Sequence, residues 1–141
     1  WNDIDLESEI PHLVIKPNPH RRLKTHSSER TIPLVRASLW AATKAKKVSN
    51  GPYVFPKYMK TGNCNANSAS AAINKWLRTI TTQKVSVHCL RHSMRDRLRS
   101  IECPSSVIDQ IGGWTTSGVG HSYGKGHSLE VMSKWMHKLA D

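Results

Sequence analysis

Residues 88–123 read HCLRHSMRDRLRSIECPSSVIDQIGGWTTSGVGHSY, and the way this stretch divides into helices decides the fold. At about 100° per residue, Leu90, Met94, Leu98 and Ile101 gather on one side of a helix over about 88–101. His88, Arg91, His92, Arg95 and Arg99 gather within about 100° on the opposite side. One helix is thus expected to serve as core element and as basic rail. Pro104, with Ser105 and Ser106, starts a second helix whose Val107, Ile108 and Ile111 point inward, and Gly112-Gly113 ends it. Trp114 follows the glycines, and Tyr123 stands among Gly120, Gly124 and Gly126.

Outward from this stretch, the chain changes character. Toward the N-terminus, Ile4 and Leu6 alternate with polar residues, HLVIKP spans 12–17 and RTIPL spans 30–34. These read as three short strands of a small antiparallel sheet. Lys24 lies on or beside a solvated basic connection between the second and third. Residues 35–47 read as a helix with Val35, Leu39 and Ala42 inward and Lys44, Lys46 and Lys47 at its C-terminal end, where cations suit the helix dipole. Residues 53–55, Tyr-Val-Phe, read as a short buried stretch, and KYMKTGNCNAN as a loop. Ser68 is expected to cap a helix over 69–81, with Ala69, Ile73, Trp76, Leu77 and Ile80 as its apolar stripe. Ser128 is expected to cap a last helix to about 139, with Leu129, Met132, Trp135, Met136 and Leu139 on one face. The expected class is α+β, mainly α: a small antiparallel sheet or hairpin near the N-terminus, then a helical bundle. With no repeat, low-complexity tract or linker, residues 1–141 form one domain.

Composition narrows the partners. The chain has 141 residues, 38% hydrophobic, and a formal net charge of +11 with histidines neutral; its pI is about 10.0. That excess of positive charge suits a polyanion, nucleic acid first. Three cysteines, Cys64, Cys89 and Cys103, form no CxxC and are odd in number, which argues against a disulfide framework and for a reducing compartment. No apolar run is long enough to span a membrane, and no signal peptide is expected. Trp1, rather than Met, opens the chain in what reads as mid-domain sequence, so an N-terminal portion is expected to precede it.

The residue types in the opening stretch suit phosphodiester chemistry. A metal-free site needs cations and donors around the nonbridging oxygens, because the reaction depends on positioning and electrostatic stabilisation. Arg91 offers a planar fork that matches two phosphate oxygens. His88, one turn earlier, can donate to the phosphate or exchange a proton. Trp114 brings one indole N–H and a flat apolar surface. Tyr123 brings a phenol that neighbouring cations would activate as a nucleophile.

These motifs resemble the catalytic domain of the tyrosine recombinases, the phage integrase family. The residues that carry the resemblance are the HxLRH box at 88–92, Ile-Gly-Gly-Trp at 111–114 and Tyr123 nine residues later. Upstream, LKTHSSERTIPL resembles the family's β-hairpin with its lysine, and WNDID the strand that opens it. The match spans nearly the whole chain and implies an integrase-like core. It implies that Tyr123 attacks DNA to give a 3′-phosphotyrosyl link and a free 5′-hydroxyl. Arg91 would stabilise the transition state, His88 assist proton transfer, Trp114 hold or underlie the phosphate, and Lys24 protonate the leaving oxygen. His92, Arg95 and Arg99 would contact DNA. The implied partners are double-stranded DNA and, in a parent protein, three further copies in a homotetramer. The resemblance implies no metal, no nucleotide cofactor, no membrane, and a cytoplasmic setting in a bacterium, phage or mobile element.

One departure matters. The family's first catalytic arginine precedes the WNDID-like strand, and Arg21, Arg22 and Arg30 fall within or after the hairpin and do not match it by position. The chain therefore reads as the C-terminal part of a catalytic domain, lacking that arginine and the N-terminal DNA-binding domain, and impaired in cleavage alone. The alternatives are a non-catalytic DNA-binding module, a type IB topoisomerase-like enzyme, and a metal site. For the last, His88 and His92 share a face, but Cys89 points about 100° away.

Overall fold

The computed structural model describes residues 1–19, 22–23, 25, 28–60, 62–114 and 126–140. Three short strands open the chain: β1 (Ile4–Asp5), β2 (His12–Ile15) and β3 (Arg30–Pro33). They form an antiparallel sheet in the order β1-β2-β3, with Ile4 opposite Leu13, Leu13 opposite Ile32 and Ile15 opposite Arg30. Pro33, which lacks a ladder donor, ends an edge strand, where that lack costs least. The β1–β2 turn is held by the Asp5 carboxylate, whose Oδ1 accepts from the Glu7 and Ser8 amides at 2.9 and 3.0 Å.

Five α-helices follow among the described residues. In α1 (Arg36–Val48), Ser38 Oγ accepts from the Val35 amide at 2.8 Å and tightens the first turn. The lysines expected at its C-terminal end include Lys46 and Lys47 in the last turn. A 3-10 turn at Pro56–Tyr58 leads into a two-residue hairpin, β4 (Met59–Lys60) with β5 (Asn63–Cys64). This stretch was expected to be loop; Gly62, at φ +78°, supplies the left-handed residue the hairpin needs. Phe55, expected to be buried, is 63% exposed.

α2 (Ala66–Ile80) starts three residues earlier than its expected span. Its N-cap is Asn65, whose Oδ1 accepts from the Ser68 amide at 3.0 Å, so Ser68 receives the cap rather than providing it. Of its apolar stripe only Leu77 is buried; Ile73, Trp76 and Ile80 are exposed. Asn74 Oδ1 accepts from the Val87 amide at 2.8 Å and ties α2 to the start of the next helix.

α3 (Val87–Ser100) and α4 (Ser105–Gly112) pack together beneath α5 (Leu129–Ala140). The core is Val35, Leu98, Cys103, Val107, Ile108, Ile111, Met132 and Met136, with Ile32 of β3, Met94 and Trp114 against it. Leu98 is fully buried, which contributes about 1.5–3 kcal/mol in transfer free energy. α5 lies on β3 and α3 of its own chain, and the Arg97 guanidinium donates to the Leu139 carbonyl at 2.9 Å. The architecture is the expected one: mainly helical, with a small antiparallel sheet at the N-terminal end.

Candidate functional site

The site is built where α3, the end of α4 and the start of β3 meet. α4 stops because Gly113 takes the left-handed conformation, φ +63°, and the Gly113 and Trp114 amides both donate to the Asp109 carbonyl. The turn folds the Trp114 indole back over Gly112, so that a Cβ there would lie 1.8 Å from the ring. Only glycine at 112 lets the ring sit there.

Seated so, the indole receives two arginines of α3. The Arg91 guanidinium carbon is 4.4 Å from the ring centroid and that of Arg95, one turn on, is 5.1 Å. Each such contact stabilises by roughly 0.5–2 kcal/mol, more where water is excluded. Arg95 also reaches Asp109 of α4, Nη2 to Oδ1 3.7 Å, and that carboxylate is 4% exposed. A buried carboxylate needs such partners, since an unpaired charge in the interior is costly. The Arg95 Nε is buried and has no hydrogen-bond partner among the described residues.

A third guanidinium arrives from the sheet. Arg30, first residue of β3, donates from Nε to the Ile111 carbonyl at 3.0 Å and from Nη1 to the Ser28 carbonyl at 2.7 Å. Its plane covers Gly113, where a Cβ would lie 2.5 Å from Nη1. Burial, and then the positive charge of Arg91, lower the Arg30 pKa from its usual value. Among the described residues no carboxylate stands at ion-pair distance from Arg30 or Arg91. Two guanidinium groups, Arg30 and Arg91, held close without a neutralising acid among the described residues favour an anion beside them.

The rest of the expected basic rail goes elsewhere. His88 and His92 are exposed and meet edge to face, with ring centroids 4.7 Å apart. Arg99 is exposed and pairs with Asp96 at 3.8 Å, a contact worth about 0–1 kcal/mol. The single face drawn on the helical wheel is therefore split. The basic residues do not stand opposite the apolar ones, as expected, but beside them: Arg91 lies only about 20° from Leu98 on that wheel, so it follows Leu98 toward the core, whereas His88 lies farther round and turns to solvent. Cys89 is exposed, and its thiol pKa is lowered because Sγ accepts from the Ser86 amide at 3.5 Å. Among the described residues no three His, Cys, Asp or Glu side chains cluster as a metal site.

Downstream, Gln110 of α4 grips the chain again. Its Oε1 accepts from the His127 amide at 2.7 Å, and its Nε2 donates to the His127 carbonyl at 2.9 Å. The His127 ring shares a hydrogen bond with Ser106 Oγ at 2.9 Å. Lys24 and Tyr123 lie outside the described residues.

The structure thus brings Arg91, Arg95 and Trp114 together and leaves His88, His92 and Arg99 outside that group. Sequence reasoning missed Arg30, Asp109 and Gln110. Arg30 was set aside on its position along the chain, though an arginine opening a strand next to the core offered a hint. Asp109 stands about 160° from Ile111 on the α4 wheel, which suggests exposure; α3 covers that side, and nothing local announces it.

No helix of the described residues is long and apolar enough to cross a membrane. Comparison with curated proteins and with solved structures finds no match. The profile of the phage integrase family matches residues 1–125. With the Gly-Gly-Trp turn, the arginine-bearing helix and the N-terminal hairpin all inside the matched span, the chain belongs to the phage integrase family, the tyrosine recombinases.

Proposed function

We propose that the cluster of Arg91, Arg95 and Trp114 binds a phosphodiester of double-stranded DNA and that Tyr123 attacks it. The tyrosine oxygen forms a bond to phosphorus, the bond from phosphorus to the 5′-oxygen breaks, and that oxygen leaves with a proton from Lys24. The product is a 3′-phosphotyrosyl link and a 5′-hydroxyl; attack by another 5′-hydroxyl reverses it and rejoins strands. His88 exchanges protons at the phosphate, and His92, Arg95 and Arg99 track the backbone. The covalent link conserves the bond energy, so the scheme calls for no metal and no nucleotide. Four copies on two duplexes would exchange strands. The single observation that carries the reading is the pair of α3 arginines on Trp114, beside a third arginine, with no carboxylate among the described residues at ion-pair distance from Arg91.

The test is covalent trapping on nicked suicide duplexes drawn from a pool of fragments, with this chain carried in a catalytic domain that supplies the family's first arginine. An adduct formed by the native sequence, absent with Tyr123→Phe while duplex binding persists, supports the reading. An adduct that survives Tyr123→Phe refutes Tyr123 as nucleophile. Binding with no adduct from either protein favours a DNA-binding module, which the net charge of +11 also suits. Relaxation of supercoiled DNA without a specific site would point to topoisomerase chemistry instead.

A further inference from the structure

We propose that Arg30 is a positioning residue of this phosphate site: its fork holds the Gly-Gly turn to the start of β3, and so seats Trp114 for Arg91. The proposal rests on the phosphodiester reading for its purpose, but its geometry stands apart from it. Arg30 spends two donors on backbone carbonyls, one at Ile111 in the last turn of α4 and one at Ser28 before β3. The α4 bond fixes the carbonyl just before Gly112. The guanidinium plane lies on Gly113, so the left-handed turn is gripped as well as permitted by its glycine. The next residue is Trp114, whose ring carries Arg91 at 4.4 Å and Arg95 at 5.1 Å. A shift of this turn moves the indole, and both α3 arginines lose the surface they rest on.

The charge of Arg30 has a second effect. It lies near enough to Arg91 to interact electrostatically, and no described carboxylate separates or neutralises the two. With Arg30 held in place by its two backbone bonds, its charge adds to that of Arg91, raises the local positive potential and favours an anion beside them. The fork and the charge are separable by substitution. Arg30→Met removes both. Arg30→Lys keeps a charge, but an ammonium on a flexible stem does not reproduce a planar fork bound to two carbonyls.

The experiment labels all tryptophans with fluorine and follows the Trp114 resonance, assigned with Trp114→Phe. In parallel, affinity for a random-sequence duplex is measured across a salt series. In Arg30→Met the Trp114 resonance should shift while those of Trp1, Trp40, Trp76 and Trp135 stay, and the salt slope should fall by up to about 0.9, the equivalent of one phosphate contact. Arg30→Lys should still shift Trp114 but keep the slope. Gly113→Ala, whose Cβ would displace the guanidinium, should shift Trp114 as Arg30→Met does. An unmoved Trp114 resonance in folded Arg30→Met overturns the proposal; should that variant not fold, an unmoved resonance in Arg30→Lys does so. If the native chain fails to bind duplex at all, the phosphodiester reading fails, while the Trp114 shift still decides the role of Arg30.

Discussion

Gly112→Ala should destabilise the folded chain while Trp114 is present and should not once Trp114 is removed. Gly112 is the last residue of α4 and its backbone is helical. In an exposed helix, replacing glycine by alanine stabilises by up to about 1 kcal/mol. Here the added Cβ would lie 1.8 Å from two carbons of the Trp114 ring. The ring cannot yield by tenths of an ångström; it must leave its seat or push α4 aside, an overpacking cost of about 1–3 kcal/mol. It would also leave Arg91 and Arg95 without their ring. Trp114→Ala removes the obstacle, so Gly112→Ala on that background should be neutral or slightly stabilising. The expected coupling in the double-mutant cycle is thus about 1–4 kcal/mol, with the cost of Gly112→Ala vanishing or reversing once Trp114 is gone. Urea denaturation of the four proteins measures it, provided that the m-value stays constant. Additive effects, within about 0.5 kcal/mol, would show that the indole does not lie on Gly112.

Two further outcomes follow from the thiols and from the β1–β2 turn. Cys89 is exposed with a lowered pKa, whereas burial raises that of Cys103; iodoacetamide should therefore modify Cys89 well before Cys103, and mass spectrometry of quenched samples gives the order. The amides of Glu7 and Ser8 lower the Asp5 pKa from its ordinary value, so this carboxylate stabilises the fold above its unfolded-state pKa and loses that contribution as pH falls through the folded-state value. Asp5→Asn should then melt below the native protein at neutral pH, and the gap should close in acid; a gap that is constant with pH refutes the assignment.

Sequence spacing was a good guide for the buried faces of α4 and α5, less so for α3, where Leu90, grouped with Met94, Leu98 and Ile101, is 57% exposed. Met132 and Met136 of α5, and Val107, Ile108 and Ile111 of α4, are buried as their periodicity requires. It misled where a face has no cover. The wheel groups Ile73, Trp76 and Ile80 correctly, but grouping does not say what lies opposite, and all three are exposed. For the candidate site, the HxxR spacing located α3 and the Gly-Gly-Trp turn located its neighbour. What spacing could not supply is the encounter of elements distant in sequence. Arg30 bonds a carbonyl 81 residues away, and Asp109 is covered by an arginine of another helix. Residues on one helix face also differ in how far they lean toward the core, which separates Arg91 from His88.

The hold that α4 has on both sides of residues 115–125 sets a mechanical condition. Trp114 is tied to Asp109, and His127 is tied to Gln110 and Ser106, all on one eight-residue helix. A rigid rod fastened at two points carries both fastenings along when it tilts, and the distance between them does not change. Strain applied elsewhere in the molecule therefore moves Trp114 and His127 together, as a common displacement and not as a change in their separation.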